Sequence, residues 1–358
     1  MYSSTNLFHK LSATKVDSAE INISTLYKYN CFKFARVYSD DSQLKFQEDL
    51  TSIEKAFGTK FIEDEINTQY SADNVIKYYT HTTDRDYKLL ELFVGPGLHS
   101  RLDLPFLKEC TKDNTHAFIL VEILAANAKN VLEIGCGRGH CSLFLANCAP
   151  EVQFKGVDLT PRHVSVANES AKRADLNNVD FFLADATKLT LLKPASIDLI
   201  FGIEAFCHID TNEGAANFME SAHKLLRKGG RIVFFDGFRA KRFDKCSANQ
   251  RKAMKLAECG FRIRAMPSKQ LWTDLGLKND MKVLTDIDLT PQVLPFWTLG
   301  WRVARIVLLF PRLIRFVLNS SAKRRETAAN LLSVATTAHA MRDRGSAEYG
   351  YLVLEKKH

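Results

Sequence analysis

The chain has 358 residues, of which 46% are hydrophobic and 25% charged, the composition of a folded globular protein with one large domain or two modest ones. Its net charge is +8, but residues 291–325 hold seven basic residues and no acidic one, so the rest of the chain is nearly neutral. A single basic patch excludes a nucleic-acid-binding surface spread over the protein, and we predict no nucleic-acid partner.

The eight cysteines include no pair with C-x-x-C spacing, so we predict neither a disulfide framework nor a metal site. The N-terminus is polar and lacks the apolar stretch of a secretory signal, whereas a transit peptide stays open. No uncharged apolar run approaches the ~18 residues of a membrane span. These features favour a cytoplasmic protein, in solution or peripheral on an intracellular membrane.

The N-terminal part of the chain carries few signals. Residues 1–70 are treated as an extension of unknown role with one predicted helix, Leu44–Phe57. Residues 71–114 are predicted to form a helical lid ahead of the alternating pattern that starts at residue 115.

Strands and helices then alternate, which implies a parallel, doubly wound sheet with ligands at the carboxyl ends of its strands. The strands are predicted at Asn130–Ile134, Gln153–Val157, Val179–Leu183, Ile197–Ile203 and Arg231–Phe235. The helices are predicted at Ala117–Ala126, His140–Asn147, Arg162–Ala174 and Glu213–Leu226, the last with Lys228-Gly229-Gly230 as its stop signal.

The tail completes this plan with a helix at Ser268–Leu277 and two more strands, Met281–Leu289 and Glu348–Glu355. The stretch between those strands is too long for a hairpin loop and is predicted to be an inserted cap. The expected α/β fold is therefore a Rossmann-like, doubly wound seven-stranded sheet with helices on both faces, a helical N-terminal segment and a helical cap before the last strand. Its predicted parts are the core at 115–290, the cap at 291–346 and the last strand at 347–358.

The most informative motif is the glycine-rich turn after the first strand, with Gly135, Gly137 and Gly139 at every second position. Such a turn, opening a helix, lets the backbone approach a ligand closely. It differs from the G-x-G-x-x-G spacing of dinucleotide sites, and Glu133 places a carboxylate that would repel a pyrophosphate and welcome a cationic amino group. The motif favours S-adenosylmethionine over NAD, although a turn without a ligand is the alternative. Cys136, within the turn, is assigned to the same site.

Acidic residues end the next two strands. Asp158 can accept hydrogen bonds from both ribose hydroxyls of a nucleoside, and Asp185 suits the exocyclic amine of adenine. Each acid alone is more often structural, but an acid, the glycine turn and two more acids at successive strand ends indicate nucleoside binding. Leu159 and Ala186, next to these acids, are included among the cofactor-binding residues.

Two candidate catalytic groups follow the fourth strand. Glu204 and His208 are four residues apart and share a face if the loop is helical, so they could hold and deprotonate an acceptor. The alternative is that both only order the loop. Upstream, Tyr78, Tyr79 and His99 could close over the cofactor, or the tyrosines could simply pack. Tyr78 is assigned to the cofactor and Tyr79 to catalysis.

With these residues, the chain resembles the class I S-adenosylmethionine-dependent methyltransferases over residues 115–290. Within them it resembles the sterol side-chain methyltransferases and their tocopherol-methyltransferase-like relatives. The narrower resemblance is carried by Tyr78-Tyr79 with Gly95-Pro-Gly-Leu-His99, by Glu204-Ala-Phe-Cys-His208, by Ser268–Trp297 and by the stretch from Ala328. The chain departs from that pattern at Val94, which stands where those enzymes have Trp, at Phe206, which stands where they have Thr, and in the thinned stretch His81–Tyr87. These departures bear on the acceptor more than on the chemistry.

The methyl sulfonium is already a strong electrophile, so an enzyme need only align donor and acceptor and exclude water, where positioning is worth roughly 7–11 kcal/mol. For an alkene acceptor, aromatic faces and Glu204 could stabilise the resulting carbocation, and His208 or Glu204 could remove a proton. For an amine or phenol, the same pair would serve as the base.

The composition of the predicted cap suggests a lipophilic acceptor. The cap carries an apolar stripe, kinked at Pro311, beside four arginines, which is the pattern of an interfacial helix on anionic lipid or of a cap with solvated arginines. The stripe consists of Val303, Ile306, Val307, Phe310, Ile314 and Val317, and the arginines are Arg302, Arg305, Arg312 and Arg315.

The leading hypothesis is methyl transfer to a lipophilic small-molecule acceptor, sterol-like or another isoprenoid lipid, with peripheral membrane contact through residues 291–325 as a further hypothesis. One alternative is an N- or O-methyltransferase of small molecules such as a phosphobase or alkaloid-like amine. The non-enzymatic alternative is a membrane-associated nucleoside-binding scaffold. Oligomeric state and the number of methyl transfers stay open.

Overall fold

The computed structural model describes residues 42–81, 100, 114–190 and 192–358. Its seven strands form one sheet in the order β3-β2-β1-β4-β5-β7-β6, in which β7 runs antiparallel to both of its neighbours. This confirms the predicted fold class. The strands are β1 Asn130–Ile134, β2 Gln153–Asp158, β3 Val179–Leu183, β4 Ile197–Ile203, β5 Leu226–Arg239, β6 Met281–Asp288 and β7 Ala347–Lys356.

Helices cover both faces of the sheet, as predicted. The described residues form α1 Ser42–Phe57, α2 Thr59–Asn67, α3 Ala72–His81, α4 Asn114–Ala125, α5 His140–Cys148, α6 Pro161–Arg173, α7 Asn212–Leu225, α8 Ala248–Gly260, α9 Lys269–Lys278, α10 Thr290–Leu308, α11 Pro311–Ser320 and α12 Ala322–Met341.

The centre of the sheet is apolar on both faces, because helices cover both sides of its parallel strands. In β1, Val131, Leu132 and Ile134 are all buried. The strand order reverses between β1 and β4, and in open α/β sheets ligands bind in the crevice at such a switch point. The glycine turn after β1 and the loop after β4 therefore lie on the two sides of one crevice.

The boundary between α7 and β5 differs from the prediction. The helix ends at Leu225, and Lys228-Gly229-Gly230 lies within β5 instead of stopping the helix. The pairing with β4 passes from Leu226 directly to Arg231, so the intervening residues bulge out of the ladder and Gly229 adopts a φ of 73°. The glycines serve this bulge, which sequence spacing alone does not distinguish from a helix end.

Helix α8 was not predicted, although its start carries a local signal. Ser247 and Gln250 form a capping box in which each side chain bonds the other's backbone N–H. This S-x-x-Q spacing is a recognisable helix start.

The N-terminal extension and the cap pack into one helical layer. Asp49 in α1 accepts hydrogen bonds from Trp301 in α10 at 2.6 Å and from His339 in α12 at 2.9 Å. Arg305 adds an ion pair to the same carboxylate at 3.0 Å. Because the whole group is buried apart from Arg305, these bonds fix α1 to the cap.

The cap is bent where Pro311 predicted a kink. Helices α10 and α11 meet at 92°, and Pro311 starts α11. In the described part of the chain no single helix is long and apolar enough to cross a membrane, whereas the bent pair α10–α11 meets that length and composition test only when its two helices are taken together.

Candidate active site

The three turn glycines have three different surroundings. All have positive φ, 62° at Gly135, 52° at Gly137 and 78° at Gly139. A Cβ on Gly135 would lie 2.6 Å from the Cβ of Ala205, and one on Gly139 would lie 2.5 Å from the ring of Phe181. A Cβ on Gly137 would meet no atom within 4 Å. The outer two glycines therefore allow close packing, and the middle one presents its backbone to open space.

That open space belongs to a cavity of about 760 Å³ at the carboxyl ends of β1, β2, β3 and β4. The crevice predicted from the strand order is thus present, with a volume suited to a small-molecule ligand. Ten of the predicted site residues line it: Tyr79, Gly135, Cys136, Gly137, Asp158, Leu159, Asp185, Ala186, Glu204 and His208.

Asp158 is held by three donors at the cavity wall. Its carboxylate accepts from Gly137 N at 2.9 Å and Thr160 N at 2.8 Å, and lies 3.2 Å from Nδ1 of His163. Burial raises the pKa of Asp158, but the bond and charge of His163 and the backbone N–H groups outweigh it, so the pKa is lowered overall. A charged acid thus braces the glycine turn and still faces the cavity.

His163 and Thr160 were not identified from the sequence. Both belong to the start of α6, which follows β2 after only two residues. A threonine directly before a proline is a helix-start signal, and it would have shown that Asp158 lies within reach of the first turn.

Asp185 both caps a turn and lines the cavity. Its Oδ1 accepts from the backbone N and from the hydroxyl of Thr187, each at 2.8 Å, at the start of the 3₁₀ turn Ala186–Lys188. Both bonds engage the same oxygen, which leaves Oδ2 as the oxygen available to a ligand amine.

Glu133, predicted to bind the cofactor, is not among the residues that line the cavity. It is buried and accepts from the backbone N of Ser142 at 3.2 Å and from its hydroxyl. Burial raises the pKa of Glu133 to about 8, so the side chain is mostly protonated at neutral pH. It ties β1 to the first turn of α5, because a carboxyl there satisfies two donors of Ser142.

The loop after β4 is not one continuous helical turn. Glu204 has a left-handed φ of 52°, and a short 3₁₀ turn, Phe206–His208, follows. The predicted helical spacing of Glu204 and His208 is thus replaced by a strained residue before a tighter turn, yet both side chains reach the cavity.

Glu204 is held from two distant parts of the chain. Its Oε1 accepts from Ser100 N and from the hydroxyl of Tyr349 in β7, each at 2.8 Å. Burial raises the pKa of Glu204, while the bonds from Ser100 and Tyr349 oppose that rise. These partners could not be deduced from sequence, since Tyr349 is 145 positions away.

Asp236 in β5 is a further site residue that sequence reasoning missed. Its Oδ2 accepts from the backbone N of Phe206 at 2.7 Å and of Cys207 at 3.1 Å, which fixes the 3₁₀ turn that carries His208. Burial and the nearby charge of Glu204 raise the pKa of Asp236 to about 7. Asp236 directly follows the predicted strand Arg231–Phe235, so the search for acids at strand ends that identified Asp158 and Asp185 would also have identified Asp236.

His208 and Tyr79 meet across the cavity. The hydroxyl of Tyr79 lies 3.4 Å from Nε2 of His208, at the outer limit of a hydrogen bond. Burial lowers the pKa of His208 to about 4, so the imidazole is neutral at pH 7. The ring of Tyr79 also makes an edge contact with His163, with centroids 5.3 Å apart. Helix α3 thus reaches the wall formed by α6 and the loop after β4.

The structure separates Tyr78 from Tyr79. The Tyr78 hydroxyl donates to Asn330 in α12 at 2.8 Å, and Tyr78, like Glu133 and Gly139, is not among the residues that line the cavity. Adjacent residues on a helix point in different directions, so only one of the pair reaches the site. His99 and the rest of Gly95–His99 lie outside the described residues.

The cavity suits S-adenosylmethionine. The open face of Gly137 leaves room for a ligand against the backbone, where a side chain would intrude. The charged Asp158 can accept from ribose, and Oδ2 of Asp185 from the adenine amine. When bound, S-adenosylmethionine supplies an electrophilic methyl group. The wall formed by Glu204, His208 and Tyr79 supplies groups to position an acceptor.

Residues 125–282 match the family described as a methyltransferase domain. These residues form a methyltransferase domain. The predictions of a methyltransferase and of S-adenosylmethionine as its cofactor are confirmed at the level of this domain. The narrower subgroup suggested by the sequence stays a proposal.

Curated relatives share this domain but differ in what they act on. The chain is 32% identical over 107 residues to a 27-O-demethylrifamycin SV methyltransferase of Amycolatopsis mediterranei, covering 30% of this chain and 38% of the relative. It is 26% identical over 160 residues to a sterol 24-C-methyltransferase of Kluyveromyces lactis, and the match covers 44% of this chain and 42% of the relative. The chain thus spans less than half of the length of these two relatives.

Solved structures show the same fold over more of the chain. A geranyl diphosphate C-methyltransferase of Streptomyces coelicolor, in complex with geranyl diphosphate and S-adenosyl-L-homocysteine, superposes with a TM-score of 0.54. It is 17% identical, and the match covers 81% of this chain and 99% of that one. At this identity the likeness shows the fold.

Proposed function

We propose that the protein transfers a methyl group from S-adenosylmethionine to a lipophilic acceptor, sterol-like or another isoprenoid lipid. The observation that carries this proposal is the arrangement within one cavity. The open backbone of Gly137 and the charged Asp158 form one wall, and Glu204, His208 and Tyr79 form the other. A donor site and a group suited to general-base chemistry thus share one space.

His208 is the residue suited to take a proton. Burial lowers its pKa to about 4, so the imidazole is neutral at pH 7 but a weak base, which suits the strongly acidic proton next to a carbocation. Glu204 holds or stabilises the acceptor, since Ser100 and Tyr349 fix its Oε1. Tyr79 closes the cavity from α3 and brings an aromatic face beside His208.

The lining supports an apolar acceptor. Eight of the lining residues are valine, leucine or isoleucine: Val75, Ile134, Leu143, Val157, Leu159, Val166, Ile203 and Ile209. For an alkene acceptor, the face of Tyr79 and the carboxylate of Glu204 would stabilise positive charge, and His208 would accept the proton then lost. The sterol and geranyl diphosphate methyltransferases among the similar proteins act on acceptors of this class, which supports the proposal.

Methylation of a small amine or phenol is the second candidate, and the same neutral imidazole would serve as its base. The similarity to a 27-O-demethylrifamycin SV methyltransferase, whose name indicates an oxygen acceptor, supports an O-methyltransferase as this second candidate. The cytoplasmic location predicted from the sequence, with peripheral contact to an intracellular membrane, is retained as a proposal.

The first experiment is calorimetric titration with S-adenosylhomocysteine of the intact chain, of Asp158→Asn and of the matched control Asp180→Asn on the exposed side of β3. Loss of a charge-assisted bond should weaken binding by about 10- to 100-fold in Asp158→Asn only. Failure of the intact chain to bind would overturn the cofactor assignment for the full protein.

The second experiment measures transfer of a labelled methyl group to a sterol with an unsaturated side chain, to geranyl diphosphate, to a prenylated hydroquinone and to a small primary amine. Label in an isoprenoid acceptor that disappears in His208→Gln supports the proposal. Label in the amine alone selects the second candidate. Cofactor binding without any transfer favours the nucleoside-binding scaffold.

A further inference from the structure

The bend between α10 and α11 carries a concentrated apolar surface. Among the described residues, eight of the fourteen exposed large hydrophobic side chains lie between residues 299 and 316. We call the following six the elbow surface: Val303, Ile306, Leu309, Phe310, Leu313 and Phe316. Leu309 is 74% exposed and Phe316 65% exposed, values that solvent alone does not favour for side chains of this size.

The elbow surface is not the packing face of the cap. Trp301, Ala304 and Leu308 of α10, and Ile314 and Leu318 of α11, are buried against the protein. Val303 and Ile306 occupy the opposite face of α10, Leu313 and Phe316 the opposite face of α11, and Leu309 and Phe310 lie in the connection between the helices. The apolar stripe predicted from sequence is corrected here, because Ile314 turns inward while Leu309, Leu313 and Phe316 turn outward.

The charges on the two helices of the elbow are all positive, and the exposed Glu48 of α1 lies 3.8 Å from one of them, Arg305. No acidic residue occurs between residues 291 and 325. Arg302 and Arg312 are exposed on the same two helices. Arg305 forms an ion pair with Asp49 at 3.0 Å, and Arg315 donates a hydrogen bond to the backbone oxygen of Lys55 at 2.6 Å. These two arginines therefore also stabilise the packing of the cap on α1.

The combination of an apolar surface and a basic border indicates which kind of partner can bind there. Two copies of this chain joined by this face would bring like charges together, which opposes self-association. An anionic bilayer instead offers an apolar layer beneath a negative surface, and an amphipathic helix binds there with its apolar face among the acyl chains. The 92° bend lets both helices present outward faces without crossing the bilayer.

We propose that the elbow surface docks on the interface of an anionic lipid bilayer. This inference does not depend on methyl transfer. Helix α12 packs against both cap helices and bonds Tyr78 of α3 through Asn330 at 2.8 Å, so the docked unit also carries the helix that holds Tyr79.

The test is flotation of the full chain with vesicles of phosphatidylcholine, alone or with about one-third phosphatidylserine. The variants are the double change Phe310→Ser with Phe316→Ser and the double change Arg302→Glu with Arg312→Glu. Matched controls are Leu277→Ser, which alters a 53% exposed leucine on α9, and Lys228→Glu in the β5 bulge. Thermal melting verifies that each variant is folded.

We expect the intact chain to float with the anionic vesicles and to bind neutral ones at least about tenfold less. The arginine double variant should lose about thirtyfold on anionic vesicles, and the phenylalanine double variant at least about tenfold on both kinds. Both controls should bind like the intact chain. Titration with S-adenosylhomocysteine should be unchanged in every variant, so failure of docking is distinguishable from failure of the cofactor site.

Three results would overturn the proposal. The first is no flotation of the intact chain with anionic vesicles. The second is equal loss of binding in the controls. The third is an intact chain that sediments as a dimer and becomes monomeric in the phenylalanine double variant, which would assign the elbow surface to a second copy.

Discussion

The phenol of Tyr349 donates a 2.8 Å hydrogen bond to Oε1 of Glu204, so the last strand of the sheet supplies a group to the loop after the fourth. Ser100 N donates to the same oxygen at 2.8 Å. Strand β7 is inserted between β5 and β6, next to the strand that holds Asp236, and this position brings Tyr349 to the cavity end of the sheet. The C-terminal strand therefore bears on the protonation of a candidate catalytic residue.

Replacing Tyr349 by Phe should raise the pKa of Glu204 further, because burial already raises it and one of the two opposing donors is lost. If Glu204 acts as a carboxylate, the acidic limb of the methyl-transfer rate should shift to higher pH, while binding of S-adenosylhomocysteine stays unchanged. The measurement is the initial rate against pH with an acceptor that the intact chain methylates.

Tyr351→Phe is the matched control for this experiment. Tyr351 lies two residues further along β7 and donates to Glu122 at 2.7 Å, so its loss removes a similar buried bond away from the cavity. It should lower stability by about 1 kcal/mol without moving the acidic limb. Equal shifts in both variants would show that the effect is structural.

Substitution by alanine should separate the roles of two turn glycines. Gly139→Ala places a methyl group 2.5 Å from the ring of Phe181 and should mainly destabilise the protein, by about 1–3 kcal/mol. Gly137→Ala meets no atom within 4 Å but fills the cavity, so it should mainly weaken binding of S-adenosylhomocysteine. Both variants carry strain from positive φ, which makes each the control of the other.

Thermal melting and calorimetric titration of the two variants would resolve this difference. A larger loss of binding in Gly139→Ala than in Gly137→Ala, at temperatures where both are folded, would contradict the assignment of Gly137 to the ligand face.

Local patterns predicted the sheet and the cofactor side of the cavity, because glycine spacing and acids at strand ends are encoded within a few residues. The partners of Glu204 could not be predicted, since Ser100 and Tyr349 come from distant segments. Tyr78, assigned to the cofactor from the sequence, is not among the residues that line the cavity, and its hydroxyl donates to Asn330 in α12. Tertiary packing, rather than local spacing, decides such orientations.

His208 should titrate far below an ordinary histidine. Burial lowers its pKa to about 4, whereas an unfolded chain has a value near ~6.5. The measurement is the ring-proton chemical shift against pH, with His208→Gln to assign the signal. A midpoint near that of free histidine would show that the ring is solvated and would remove the argument for a neutral base throughout the neutral range.

Replacing Asp236 by Asn should flatten the pH dependence of stability. Burial and the charge of Glu204 raise the pKa of Asp236 to about 7 in the folded protein, above the ~3.9 of an unfolded chain. Between these values the folded state binds more protons, so this group makes folding less favourable as the pH rises from about 4 to about 7. The loss is on the order of 3–4 kcal/mol.

The asparagine oxygen can still accept from the backbone N of Phe206 and Cys207, so the turn that carries His208 is kept. Its amide nitrogen cannot accept the bond that Gly237 N donates to Oδ1 at 2.8 Å, which lowers stability at every pH without changing the slope. Urea unfolding at pH 5 and pH 8 measures the difference, with Asp180→Asn as the exposed control. An unchanged slope in Asp236→Asn would show that Asp236 is already ionised throughout this range, so Glu204 would face a permanent negative charge.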